Sequence, residues 1–206
     1  MVQARQQQQA ADPLKPFTIG SLQVSSSIRR ECELYTIQSA PKVSAIVVAG
    51  VAGSGKTTVG KALAGLLEWD FVDADELHTA HNIGKMSAGV PLTDEDRKPW
   101  LDRVRGILDE SIDQEKNLVM ACSALRRRYV AFLLGHQPRI RLAHLSVDRE
   151  ILVKRLAARR DHFFPLELLA SQLEIQEFPP AEQVFDGGRP ALEVAREIAL
   201  RFGPED

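Results

Sequence analysis

The chain has 206 residues, of which 44% are hydrophobic and 26% charged, as is typical of one globular domain. Its formal net charge of −2 argues against a dedicated nucleic-acid-binding protein, because such domains usually carry a basic excess. Two distant cysteines, Cys32 and Cys122, exclude a disulfide scaffold. With no apolar run long enough to span a bilayer and no secretory signal, the composition predicts a cytoplasmic protein that binds no membrane.

Residues 1–42 differ in composition from the rest of the chain. They contain a run of four glutamines at 6–9 and three serines at 25–27, a composition that buries little apolar surface. We therefore predict a low-complexity N-terminal extension, disordered or loosely attached, with short strands at 17–19 and 34–37 as a weaker signal. An organellar targeting peptide is the less favoured alternative, because no basic amphipathic helix is visible.

From residue 43 to residue 206, apolar runs and helical patterns alternate. The predicted helix at 99–112 starts at Pro99, in the first turn, where a missing N–H costs nothing. Alternation of buried strands with helices predicts an α/β fold, a parallel sheet with helices on both faces. The predicted elements are strands at 45–49, ending at 71–72, at 118–122 and at 142–146, and helices at 56–68, 99–112, 149–160, 166–176 and 190–202.

A phosphate-binding loop follows the first predicted strand. The segment G-V-A-G-S-G-K-T at 50–57 matches G-x-x-x-x-G-K-[ST], in which glycines let successive backbone N–H groups face phosphate oxygens. Lys56 is predicted to reach the terminal phosphates and Thr57 to hold Mg²⁺. The residues predicted to bind ATP are Gly50, Val51, Ala52, Gly53, Ser54, Gly55, Lys56, Thr57 and Thr58.

This loop alone does not say which nucleotide-dependent reaction takes place. The guanine-reading N-K-x-D of GTPases is absent, and the 118–122 strand runs into Ser123 and Ala124 instead of a metal-binding aspartate. Asp73 and Asp75, at the end of the second strand, are the alternative source of a carboxylate on the magnesium side. Since ligands of parallel sheets lie at the carboxyl ends of strands, these acids and the loop should face one crevice. Capping of a helix is the alternative for either acid alone.

Further motifs lie in order along the chain between residues 50 and 173. They are G-V-A-G-S-G-K-T-T-V-G (50–60), F-V-D-A-D-E-L-H (71–78), N-I-G-K-M-S-A-G-V-P-L-T-D-E-D-R-K-P-W-L (82–101), A-C-S-A-L-R-R-R-Y (121–129), R-L-A-A-R-R-D-H-F (155–163) and S-Q-L (171–173). Together they resemble the gluconokinase family, small P-loop kinases related to shikimate and nucleoside monophosphate kinases. The resemblance implies a three-layer P-loop fold with about five parallel strands, a helical lid at about 155–178, a homodimer, and transfer of the γ-phosphate of ATP, with Mg²⁺, to D-gluconate.

The resemblance also implies roles on the acceptor side. Arg97 would hold the carboxylate of the sugar acid with two hydrogen bonds, although pairing with Asp94 at a helix start is its alternative. His78 would donate to a hydroxyl group, or else would only pack. Arg126 and Arg127, after the third strand, would hold gluconate or the transferred phosphate.

The remaining implied roles concern the chemical step. Asp75 would orient the attacking hydroxyl and accept its proton, while Asp73 would hold Mg²⁺, through water. Arg159 in the lid, with Arg155 and Arg160 as weaker candidates, would neutralise charge in the transition state.

Some departures from the family pattern keep other functions open. Residues 178–188 are a few residues shorter than the usual turn and last strand, which leaves a nucleotide-binding module without turnover as a rival. Another small-molecule kinase, shikimate kinase above all, is the alternative among enzymes. The basic stretch 126–160 suggests RNA binding only weakly, because few aromatic residues accompany it.

Overall fold

The computed structural model describes residues 42–158 and 166–204 of the chain. No helix within these ranges is long and apolar enough to cross a membrane. The predicted strands at 17–19 and 34–37 lie outside the described residues. The described elements are β1 (Ala45–Ala49), α1 (Lys56–Leu67), β2 (Asp70–Asp73), a 3₁₀ turn (Ala74–Leu77), α2 (Ala80–Ser87), α3 (Asp94–Asp113), β3 (Leu118–Cys122), α4 (Arg127–Leu134), β4 (Ile140–Ser146), α5 (Arg149–Ala157), α6 (Leu166–Ile175), a 3₁₀ turn (Ala181–Gln183), β5 (Val184–Asp186) and α7 (Ala191–Phe202).

The five strands form one parallel sheet in the order β2-β3-β1-β4-β5. Ala45 in the central strand β1 pairs with Leu118 of β3 on one side and with Ile140 of β4 on the other. The chain leaves β1 toward one edge of the sheet and leaves β3 toward the other edge. A crevice therefore opens beyond the carboxyl ends of β1 and β3, where open parallel sheets bind ligands.

Helices cover both faces of the sheet, as predicted. In β1, alternate side chains enter different cores, so that Val47 packs on the side of α3 and α4 while Val48 packs on the side of α1 and α7. Both side chains are fully buried, which is why the strand is continuously apolar. A third apolar cluster joins the phosphate-binding loop to α5 and α6 through Val51, Leu152 and Leu169. The predicted three-layer α/β fold is confirmed.

The start of α3 differs from the prediction. The helix begins at Asp94 and not at Pro99, because Thr93 and Asp96 form a capping box in which the Thr93 hydroxyl accepts from the Asp96 N–H and the Asp96 carboxylate accepts from the Thr93 N–H. Three acidic residues in the first turn also stabilise this helix start, because their negative charges lie at the positive end of the helix dipole. Pro99 therefore lies inside the helix, where the carbonyl of Glu95 loses its i+4 donor on an exposed face.

We expect Thr93→Ala to lower the free energy of unfolding by about 1 kcal/mol, because one N–H at the start of α3 loses its side-chain acceptor. Urea unfolding followed by circular dichroism measures the change. Thr93→Ser keeps the hydroxyl and should remain close to the parent protein. Equal losses in the alanine and serine variants would contradict a capping role.

Candidate active site

The phosphate-binding loop has the backbone that its glycines permit. Gly50, Gly53 and Gly55 have φ angles of 144°, 79° and 100°, values that other residues rarely adopt. A Cβ atom at Gly50 would also lie 2.7 Å from the Ser54 hydroxyl oxygen and 2.9 Å from the carbonyl oxygen of Leu145. The loop thus needs glycine for both conformation and space, and it leads directly into the N-terminus of α1, where a positive dipole end favours anions.

Two side chains at the start of α1 carry the chemistry of the loop. Lys56 is 8% exposed, and its Nζ donates to the carbonyl of Val51 at 3.2 Å. The hydroxyl of Thr57 donates to Oδ2 of Asp73, at the end of β2, at 2.7 Å. The predicted magnesium-side pair, Thr57 and Asp73, is therefore in direct contact across two neighbouring elements. Asp75 follows on the 3₁₀ turn, where its N–H donates to Oδ1 of Asp73 at 3.1 Å.

On the opposite side of the crevice, His78 lies in a polar niche. Its ring stacks on Trp100 with centroids 4.5 Å apart, and Nδ1 lies 3.4 Å from the amide nitrogen of Asn82. The same Asn82 nitrogen donates to the carbonyl of Asp96 at 2.8 Å, which orients the amide. Burial lowers the pKa of His78, with nearby Asp75 opposing and Arg97 reinforcing the shift. A neutral imidazole that accepts at Nδ1 has its donor at Nε2.

Arg97 is held in place by groups from two directions. One of its terminal nitrogens donates to the carbonyl of Leu92, and its guanidinium carbon lies 5.8 Å from the centre of the Tyr129 ring. The Tyr129 hydroxyl bonds to Asp94, as does Arg128. The hydrogen bond from Tyr129 lowers the pKa of Asp94, and the charge of Arg128 acts in the same direction. Arg97 is therefore not the partner of Asp94, which was its alternative role.

One cavity of about 640 Å³ brings the two sides together. Its walls combine the phosphate-binding loop and α1 with the end of β2, α2, the start of α3 and α6. A cavity of this size is suited to a small ligand. The predicted site residues that line it are Ala52, Gly53, Gly55, Lys56, Thr57, Thr58, Asp73, Asp75, His78 and Arg97.

Other predicted site residues lie elsewhere. Arg126 and Arg127 do not line the cavity: Arg126 lies 4.0 Å from Asp94, while the Arg127 N–H donates to the carboxylate of Glu177 at 2.7 Å. Arg159, the predicted lid arginine, lies outside the described residues, as does Arg160. Arg155 is described, and its guanidinium binds backbone carbonyls of the phosphate-binding loop and of residues 187 and 188, at 2.8 Å for Gly187.

A buried histidine on β4 contacts the segment that follows α6. His144 on β4 is fully buried, and its Nε2 lies 2.7 Å from the amide nitrogen of Gln176 while Nδ1 has no partner among the described residues. Burial lowers the pKa of His144 to about 4, and the positive charge of Lys56 acts in the same direction. The imidazole is therefore neutral at pH 7.

This shift predicts a pH-dependent stability. Since the unfolded chain binds the His144 proton near pH 6.5 and the folded chain only near pH 4, stability from this group is complete above pH 6.5 and is lost between those values as the pH falls. We expect a loss of about 3 kcal/mol over this window, measured by urea unfolding at several pH values. The variant His144→Leu should lack this part of the slope, whereas exposed His136→Gln should keep it. Parallel slopes for the parent protein and His144→Leu would contradict the assignment.

Comparisons with known proteins give consistent matches. A family model described as "Shikimate kinase" matches residues 52–176. A gluconokinase of Gluconobacter oxydans is 41% identical over 165 residues, which are 78% of this chain and 92% of the relative. The thermosensitive gluconokinase of Escherichia coli is 40% identical over 137 residues, or 66% and 73% of the two chains. The crystal structure of a gluconokinase from Sinorhizobium meliloti superposes with a TM-score of 0.68 at 38% identity, covering 79% of this chain and 92% of that one.

The fold and the cavity together define a P-loop kinase for small molecules. A glycine-rich loop with a buried lysine lies on one side, and an arginine, a histidine and a carboxylate lie on the other. The chain belongs to the gluconokinase family and is an ATP-dependent kinase.

Several cavity residues were not singled out in the sequence. Tyr129 lies in a matching motif without an assigned role, and Trp100 was predicted only as an apolar position of a helix. Asn82, which contacts His78 but does not line the cavity, also had no assigned role. Gln172 likewise belonged to a matching motif with no assigned chemistry. These residues reach the site through contacts with distant parts of the chain, which a local sequence pattern does not reveal.

Proposed function

We propose that this chain transfers the γ-phosphoryl group of ATP to D-gluconate, which forms 6-phospho-D-gluconate and ADP. The observation that carries the proposal is the single cavity that Lys56 and the phosphate-binding loop share with Arg97, His78 and Asp75. A polyphosphate on one side and a hydroxylated carboxylate on the other match these two sets of groups in charge and hydrogen bonding.

On the donor side, backbone N–H groups of residues 50–58 would bind the phosphates of ATP, apart from the Ala52 N–H, which donates to Gln172. The N-terminus of α1 supplies a positive dipole end, and Lys56 supplies a full charge inside a largely buried site. In the transition state, charge spreads over the oxygens of the transferred group, so fixed positive groups there lower the barrier.

The residues near the loop fit Mg²⁺. A hydroxyl and a carboxylate, Thr57 and Asp73, lie 2.7 Å apart at the start of α1, and hard oxygen ligands are those that Mg²⁺ prefers. Within the described residues no group of three or more His, Cys, Asp or Glu side chains forms a cage, which agrees with an ion held by few protein ligands together with phosphates and water. When bound, Mg²⁺ would neutralise phosphate charge.

On the acceptor side, the guanidinium of Arg97 would bind the carboxylate of gluconate, and His78 would donate from Nε2 to a hydroxyl group. Asp75, exposed to the cavity, would orient the attacking hydroxyl. The hydroxyl oxygen forms a bond to the γ-phosphorus while the bond to the bridging oxygen of ADP breaks, and the hydroxyl proton passes to the Asp75 carboxylate. This role is mostly one of positioning.

Some predicted functional residues do not line the cavity or lie outside the described residues. Arg126 lies 4.0 Å from Asp94 and, like Arg127, does not line the cavity, so a role of these two arginines in holding gluconate or the transferred phosphate stays a prediction. The roles of Arg159 and of a lid at 155–178 stay predictions, as do the homodimer and the cytoplasmic location. Helix α6, within the predicted lid, packs on the core, where Leu169 is 2% exposed.

A panel of acceptors with MgATP tests the proposal through coupled detection of ADP. We expect ADP formation with D-gluconate, little with shikimate or a neutral hexitol, and little with water alone. Turnover of shikimate without turnover of gluconate would assign the chain to the other activity that its family match names. ATP binding without ADP formation on any sugar acid would instead support a nucleotide-binding module.

A further inference from the structure

Gln172 links α6 to the phosphate-binding loop. Its side-chain oxygen accepts a hydrogen bond from the backbone N–H of Ala52 at 2.7 Å, although 120 residues separate the two in the chain. Both residues line the cavity that also contains Lys56 and Asp75. The contact therefore lies at the wall of the site where the phosphoryl group would move.

The orientation of the Gln172 amide follows from this contact. A backbone N–H can only donate, so the atom of the amide that faces Ala52 must be the oxygen. The Nε2 group, with two N–H donors, is left to other partners. Within residues 42–158 and 166–204, it donates no hydrogen bond to the protein. A half-buried amide in the cavity thus has two N–H donors beside the phosphate-binding loop that face no acceptor in the part of the chain that the structure describes.

Helix α6 holds Gln172 at a defined position. Leu169, one turn earlier, is buried against Val51 of the phosphate-binding loop and against α5. At the other end of the helix, Gln176 contacts His144 on β4, and the N–H of Glu177 donates to the carbonyl of Leu125 at 2.8 Å. Apolar packing at Leu169 and the polar contacts just beyond the helix restrict the position of α6. The hydrogen bond to Ala52 then restricts the Gln172 side chain, as a preorganised donor requires.

We propose that Gln172 is a further catalytic residue, whose Oε1 fixes the loop at Ala52 while Nε2 donates to an oxygen of the transferred γ-phosphoryl group. The inference rests on the kinase activity under "Proposed function" but not on the identity of the acceptor. A neutral donor held at a fixed place stabilises the spread negative charge of the transition state without the cost of reorganisation. Such a residue would also contact the γ-phosphate in the bound nucleotide.

Two substitutions remove the donors in different ways. Gln172→Glu keeps an acceptor for the Ala52 N–H but loses both donors, whereas Gln172→Met loses donors and acceptor without adding charge. We expect both variants to lower kcat about 100-fold. We also expect both to lower the affinity for a non-hydrolysable ATP analogue, relative to ADP, about tenfold. Glu174→Gln, which changes the charge of an exposed side chain on the same helix, should leave both quantities unchanged.

Each alternative gives a different result. If Gln172 only latches the loop, Gln172→Glu will keep the parent kcat while Gln172→Met loses it. If repulsion by an added charge explains the loss, Gln172→Met will keep the parent kcat. Either result overturns the proposal, and so does an unchanged ratio of analogue to ADP affinity. Because that ratio is measured by fluorescence titration without any acceptor, it tests Gln172 even if gluconate is not the substrate.

Discussion

Replacing Lys56 with methionine is expected to lower kcat for gluconate phosphorylation by about 10³-fold while the fold stays intact. The amine of Lys56 is the positive charge on the floor of the cavity, and at 8% exposure it acts with little screening by water. In the structure it donates to the carbonyl of Val51, within the same loop, and is thus already held at the phosphate site. Methionine keeps most of the apolar stem and removes only the charge and its hydrogen bonds.

A matched control lies on the same helix. Lys61 is exposed on α1, with its amine 5.7 Å from the centre of the Phe71 ring, outside the cavity. Lys61→Met removes the same charge from the chain and should retain parent kcat. Coupled detection of ADP measures turnover, and thermal unfolding checks the fold. Turnover of Lys56→Met within tenfold of the parent protein would contradict the assigned role of the loop.

The phosphate-binding loop could be predicted in full because its chemistry lies in eight consecutive residues. Glycine positions, the lysine and the start of α1 are local consequences of the sequence, and the structure has them where the pattern places them. That Thr57 and Asp73 lie on the same side of the sheet was also predictable, since they follow β1 and end β2, two strands of one parallel sheet whose carboxyl ends all lie at the same edge.

Shorter elements and long-range contacts could not be predicted in the same way. Helices α2 and α4 have eight residues each, too few for a helical period to stand out from the surrounding loops. The start of α3 was predicted at Pro99 because proline fits a first turn, whereas the capping box of Thr93 and Asp96 sets the observed start five residues earlier. Which groups surround Arg97 depends on the packing of α4 against α3, across more than thirty residues, and no local pattern contains that information.

The contacts of Arg97 predict a large loss of activity when this arginine is replaced. Arg97→Ala is expected to lower kcat/KM for gluconate about 10- to 150-fold, which corresponds to about 1.5–3 kcal/mol of lost transition-state binding. The guanidinium is fixed by the Leu92 carbonyl and lies over the Tyr129 ring, so its remaining N–H groups are available to a carboxylate at little entropic cost. Arg97→Lys keeps the charge without the paired donors and should recover only part of the loss.

A comparison of two acceptors, gluconate and a neutral hexitol, distinguishes a carboxylate-binding role of Arg97 from a structural one. A neutral hexitol lacks the carboxylate, so its weak turnover should be the same with Arg97 or alanine, while turnover of gluconate falls. Lys98→Ala, at the next position, removes an exposed charge that pairs with Asp102 and should leave both acceptors unaffected. If Arg97→Ala impaired gluconate and the hexitol equally, the arginine would be supporting the wall of the cavity, and the carboxylate of the substrate would have to bind elsewhere.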